Sequence, residues 1–233
     1  MVLTFKHCGK LGDILWSLPF IKAMGGGKLY LQLGQYLDKS GFNFLKPLLE
    51  YQPYITEIDR WSGEPLDYDL DRFREIMNNS HQRSLAESYF VVFGKELPRH
   101  FQYEPWLIAP DLPNFKSSVI ISRVERGLHG SRPIHNPFYD DLAKRNLQRN
   151  SYFVGLDSEW KRFIEEYQCN IAYKPVNNAL ELASIIRQSE LCVMNQSMPH
   201  VIAEGLKKTL HLELRHDIAK PDCMFDRPNL FYI

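Results

Sequence analysis

The 233-residue sequence predicts an α/β fold of two small β/α domains facing a cleft, residues 1–112 and 113–233. Three observations predict it. Short apolar runs of strand length alternate with helix-period runs at both ends of the chain. Pro98, Pro105, Pro110 and Pro113 break up the middle and place a boundary near residues 110–115. Near the C-terminus an apolar strand, 191–194, ends in a polar loop, 195–199, and feeds a helix, 200–206. A helix start leaves backbone N–H groups without internal partners and adds partial positive charge, so this junction reads as an anion site.

The elements follow in order. Residues 2–7 are β-rich and 9–12 form a tight loop. Ile14, Leu15, Leu18, Ile21 and Met24 then recur at helical spacing. Gly25, Gly26 and Gly27 stop that helix, and 28–33 reads as a second strand, completing a βαβ unit with parallel strands. Residues 42–51 read as a helix shortened or kinked by Pro47, and 54–58 as a third strand. Between 59 and 113 only two helices, 70–78 and 85–93, stand out. In the second half, strands are expected at 118–122, 151–154, 170–173, 209–214 and 229–233. A helix is expected at 137–145, another capped by Asp157 and running to about 168, and a third started by Asn178 with Glu181 and ending near 188.

Composition excludes several classes. Hydrophobic residues make up 44% of the chain and charged residues 24%, the balance of a globular protein with a core rather than a disordered one. The formal net charge is zero, so the chain as a whole is no polycation for nucleic acid. No window holds 18 apolar residues and the N-terminus lacks the apolar core of a signal peptide, so a cytoplasmic protein with no integral membrane segment is expected. Cys8, Cys169, Cys192 and Cys223 are far apart and read as free thiols. His211, Glu213 and His216 form H-x-E-x-x-H on a strand, not a zinc helix, and no metal or other cofactor is expected.

Three segments, Gly-Lys-Leu-Gly-Asp onward through Met24, the Arg-rich loop over 121–142, and 193–208 with Asn195 and His200, occur in an order that resembles glycosyltransferase family 9, the heptosyltransferase-like enzymes. The resemblance implies a compact GT-B-like architecture of two Rossmann-like domains, with an acceptor-side N-terminal domain and a donor-binding C-terminal one. It implies transfer of a sugar from a nucleotide-diphosphate sugar, the co-substrate, to a hydroxyl of an acceptor glycan or similar molecule, with inversion and without a metal. Asn195 stands where the family has an acid, and Gln196-Ser197 where it has Thr-Gly.

On this resemblance Asp13 is the catalytic base, although the residue pattern alone reads it equally as a helix N-cap. Gly9 and Gly12 permit close backbone approach, and Lys10 reaches a phosphate or stays solvated. Arg123, Arg126 and Arg132 follow a strand and suit a departing diphosphate, since guanidinium groups grip phosphate oxygens in pairs. The surrounding stretch, 123–149, carries six Arg or Lys against three acids, which also suits a nucleic-acid backbone. Backbone amides near Ser197 and Met198, with Gln196 and Ser197 side chains, would hold the phosphates, and Asn195 leads into that loop. The bland alternative is Ser197 as an ordinary cap with Pro199 opening the helix. His200 would face phosphate or sugar. Glu204, one turn on, would bind ribose, steady His200 or lie in solvent. Trp16 lines the cleft or packs in the core. A non-catalytic nucleotide-binding protein of the same fold and a sugar transferase acting on nucleic acid are the rival readings.

Overall fold

A computed structural model describes residues 2–77, 84–124, 136–144, 150–214, 225 and 227–233. Two parallel sheets dominate it. The first contains β1 (Leu3–His7), β2 (Gly27–Leu31), β3 (Ile55–Arg60) and β4 (Tyr68–Asp69) in the order β3-β2-β1-β4. Helix α1 (Leu11–Ala23) crosses from β1 to β2, and α2 (Lys39–Glu50) from β2 to β3. Helices α3 (Phe73–Met77) and α4 (Leu85–Val91) follow β4, α3 through a single 3-10 turn. The expected βαβ unit is present, and all strand pairs of this sheet are parallel. Gly26 ends the α1 turn with φ +82°, where an added Cβ would run into the Tyr54 carbonyl, so the glycine stop is a steric necessity.

Two local expectations shift for clear reasons. Helix α2 begins three residues early because Asp38 caps it, accepting from Gly41 N at 2.7 Å, and it runs on through Pro47. Strand β4 was not expected at all. Two residues are too short to show a period, and only the register Phe5↔Tyr68 and Lys6↔Asp69 makes them a strand.

The second sheet has the order β10-β9-β8-β5-β6-β7, again all parallel. Its strands are β5 (Ser117–Ser122), β6 (Ser151–Phe153), β7 (Ala172–Tyr173), β8 (Ser189–Asn195), β9 (Leu210–Glu213) and β10 (Leu230–Tyr232). Helices α5 (Pro137–Lys144), α6 (Asp157–Tyr167), α7 (Ala179–Arg187) and α8 (Met198–Gly205) connect or flank them. Asn178 caps α7 as expected, accepting from Glu181 N at 2.9 Å. Asp157 does not cap α6. It is the first helical residue, Leu156 holds the cap position, and the Glu159 carboxylate reaches back to Leu156 N at 2.9 Å.

Strand order reverses beside β1 in the first sheet and between β5 and β8 in the second. Ligand crevices form at the carboxyl ends of strands at such reversals. The Pro-rich connection between the sheets is held by two glutamine side chains. Gln52 exchanges hydrogen bonds with the backbone of Ile108, and Gln188 does so with Leu112. Trp106 and Leu107 both donate to the Gly205 carbonyl at 3.0 Å, fixing the connection to α8. One continuous buried cluster takes in apolar residues from both sheets, among them Phe5, Trp16, Trp106, Ile120 and Ile202. Cys169 and Cys192 are buried free thiols and Cys8 is half-buried. Cys223 lies outside the described residues.

Candidate active site

The carboxyl end of β1 gathers Lys6, His7, Cys8 and Asp13 with Asp71 and Arg74 from the region after β4 and Tyr89 from α4. Asp13 is the third residue of α1 rather than its cap. Its carboxylate accepts from Lys10 N at 3.2 Å and lies 4.0 Å from Arg74 Nη2. Burial raises the Asp13 carboxyl above its ordinary value, against the pull of Lys10 N–H and the Arg74 charge. A carboxylate so raised is a stronger proton acceptor than one in open water.

Three consecutive amides of the β1–α1 loop are consumed by side chains. Cys8 N donates to Asp71 Oδ1 at 3.0 Å, Gly9 N to His7 Nδ1 at 2.8 Å, and Lys10 N to Asp13. The loop backbone over 8–10 therefore offers no free N–H to a phosphate, and of these three residues the Lys10 ammonium is the remaining candidate contact. Gly9 is a glycine for a packing reason, since a Cβ would collide with the His7 ring. Gly12 is under no such constraint. A Cβ on it would sit 3.7 Å from Val201 Cγ2 and 3.9 Å from Met198 Cα, so the start of α1 abuts the start of α8. The Asp13 turn and the anion-type helix start thus meet across the two sheets.

On the α8 side the backbone matches the expected strand–loop–helix, while several side chains take structural roles. The Asn195 amide is spent on Val124, accepting from its N–H at 3.0 Å and donating to its carbonyl at 2.7 Å, and so ties β8 to β5 at the strand reversal. Ser197 occupies the cap position, yet its hydroxyl donates to the Asn195 carbonyl instead of capping, and Met198 and Pro199 open the helix. Gln196 is half-buried within the loop. His200 is turned into the core, 2% exposed, with its ring edge-on to Trp16 at 5.7 Å and Nε2 without a hydrogen-bond partner among the described residues. Glu204 neither steadies His200 nor meets solvent. It is fully buried and paired with Arg227 Nε at 2.9 Å and Lys207 Nζ at 2.6 Å. Trp16 is a core residue at the junction, stacked on Phe225 and packed against Trp106.

Arg123 is likewise corrected. Its guanidinium is 5% exposed, bonds both oxygens of Glu213 at 2.7 and 2.8 Å, contacts Glu166 at 3.2 Å, and lies over the rings of Tyr139 and Tyr167. A guanidinium paired and buried this way braces α6 and β9 rather than waiting for a diphosphate. Arg126, Arg132, His129, His135 and His216 lie outside the described residues. Sequence reading missed His7, Asp71, Arg74 and Tyr89. The one usable signal was acidic Asp69 and Asp71 flanking an apolar Leu70.

The two buried imidazoles set a pH dependence. Burial lowers His200 to about 3, and burial only partly opposed by Asp71 lowers His7 to about 4. Both folded values lie below the ordinary 6.5. The stability they contribute is therefore complete above pH 6.5 and is lost as pH falls toward 4 and then 3. The expected Tm declines steadily across that acid window, and His200→Phe flattens the decline, as a series of thermal melts at stepped pH would record.

No family model matches the sequence, and no curated protein matches it. Solved structures do. Heptosyltransferase WaaC of E. coli, solved with ADP-2-deoxy-2-fluoro heptose, aligns over 100% of this chain and 93% of its own at a TM-score of 0.63 and 10% identity. A glycosyl transferase family 9 structure from Veillonella parvula aligns over 99% and 85% at a TM-score of 0.64 and 10% identity. E. coli ADP-heptose lps heptosyltransferase II aligns over 100% and 90% at 0.61 and 12%. At these identities the likeness is one of fold, and the chain has the two-sheet, parallel α/β fold of the heptosyltransferases.

Proposed function

We propose that the chain is a glycosyltransferase that moves a sugar from a nucleotide-diphosphate sugar to an acceptor hydroxyl with inversion and without a metal. The observation that carries this reading is the Asp13 carboxylate, raised by burial in the first turn of α1, on a turn whose Gly12 packs beside the start of α8. In this reading residues 1–112 present the acceptor and 113–233 hold the donor. As the acceptor oxygen attacks the anomeric carbon, Asp13 takes its proton and the bond from that carbon to the diphosphate oxygen breaks. The leaving diphosphate takes the electron pair. Its charge is met by the α8 helix start at Gln196, Ser197 and Met198, by Lys10, and by Arg126 and Arg132, which keep the role their sequence position suggests. Arg123, Asn195, His200 and Glu204 support the frame around that site. The neighbour solved with ADP-2-deoxy-2-fluoro heptose makes an ADP-sugar the first donor to try.

Thermal shift against ADP, other nucleoside diphosphates and ADP-heptose tests donor binding, because a ligand that binds only the folded state raises Tm. We expect stabilisation by at least one of them. None at saturating concentration would sink the reading. Stabilisation with no nucleoside diphosphate released on incubation would favour the non-catalytic binder of the same fold.

A further inference from the structure

The hydrogen bonds at the end of β1 have directions that can be assigned. Gly9 N–H donates to His7 Nδ1 at 2.8 Å, so that nitrogen is an acceptor and carries no proton. The proton of the neutral ring therefore sits on Nε2, which donates to Tyr89 Oη at 2.8 Å. With its oxygen accepting there, the Tyr89 hydroxyl donates to the Asp13 carbonyl at 2.9 Å. His7 Nδ1 also lies 3.4 Å from Asp71 Oδ1, but an unprotonated nitrogen makes no ion pair. Asp71 is instead engaged by Cys8 N, Arg74 Nη1 and Lys6 Nζ. His7 and Tyr89 are both fully buried, and their rings pack at tilted angles against Phe73, which keeps solvent from the His7–Tyr89 bond.

We infer that His7 and Tyr89 are positioning residues that clamp the β1–α1 turn at Gly9 and at Asp13, so that the Asp13 carboxylate is held where it meets the acceptor hydroxyl. The inference rests on Asp13 being the base of the proposed reaction. One ring grips the Gly9 peptide within the turn and one hydroxyl grips the peptide that carries the acid. The collision that makes Gly9 a glycine is with the same His7 ring.

Tyr89→Phe removes a single oxygen and is the primary test. We expect kcat for ADP release from ADP-heptose to fall about tenfold or more, as slight misplacement of a reacting group does, with donor KM unchanged. Two NMR measurements on the full chain need no turnover. Nitrogen-15 spectra should show His7 as the Nε2–H tautomer. The Asp13 carboxyl carbon should titrate closer to an ordinary carboxylate in Tyr89→Phe than in the wild type. An Nδ1–H tautomer, or an unmoved Asp13 titration in Tyr89→Phe, overturns the inference, and so does an unchanged kcat where Asp13→Asn is inactive. Asp13→Asn separates the two ideas: full turnover in that variant removes the base reading, while the NMR results still decide the clamp.

Discussion

Asp13→Asn is expected to lower sugar transfer by about 100- to 10,000-fold, the contribution of a positioned general base. Nucleoside diphosphate affinity should be retained, since the donor site is assigned to the other sheet. The physical reason is specific to this carboxyl. Burial raises it, so the folded protein holds its proton more tightly than the unfolded chain does. Two pH consequences follow with opposite signs. Activity falls on the acid side as Asp13 is protonated, and burial moves the midpoint of that fall above that of an ordinary aspartate. Stability moves the other way, because ionising a desolvated acid costs the folded state free energy above the unfolded value. Asparagine carries no such cost, so Asp13→Asn should melt no lower than the wild type at pH 7. A variant inactive and at least as stable is the signature of a functional acid held against its own preference. A variant with intact turnover, measured as release of nucleoside diphosphate, would remove Asp13 from the mechanism.

Glu204→Ala should cost about 3–5 kcal/mol of stability, because it leaves two buried cations without their counter-charge. Glu204, Arg227 and Lys207 side chains are 1%, 3% and 8% exposed. Lys207 also lies over the rings of Trp106 and Phe225 at 4.3 and 4.9 Å. Burial lowers the Lys207 ammonium to about 8 even with Glu204 beside it, so the pair's attraction only partly offsets desolvation. Replacing Glu204 and Arg227 together with methionine should recover most of the loss, since an apolar pair of similar size escapes the desolvation cost of the charges. Urea unfolding of the single and double variants measures both. A loss under about 1 kcal/mol for Glu204→Ala, the range of an exposed pair, would contradict the burial seen here.

Much of the fold was legible in the chain because its signals are local. The apolar spacing from Ile14 to Met24, the glycine stop behind it and the Asn178 cap act within one or two helical turns, and each expected element lies within a few residues of its place. The strand–loop–helix over β8 and α8 was legible for the same reason. What escaped depends on distant partners. Strand β4 exists only because β1 pairs with it. Arg123 reads from sequence as a free cation after a strand, and its fate is decided by Glu213, 90 residues away. Asn195 reads as a ligand residue until the Val124 backbone claims its amide.

The sequence alone determined the alternation of strands and helices, the parallel topology that such alternation imposes, and the placement of Asp13 at the start of the first helix, though not its place as the third helical residue. Those follow from period, chain chirality and capping chemistry. Only the tertiary structure decided which polar side chains are spent on the protein's own frame. Burial and charge pairing are properties of neighbours brought together from different segments. They withdrew Arg123, Asn195 and Glu204 into the frame, set His200 into the aromatic junction, and put His7, Tyr89, Asp71 and Arg74 around the acid.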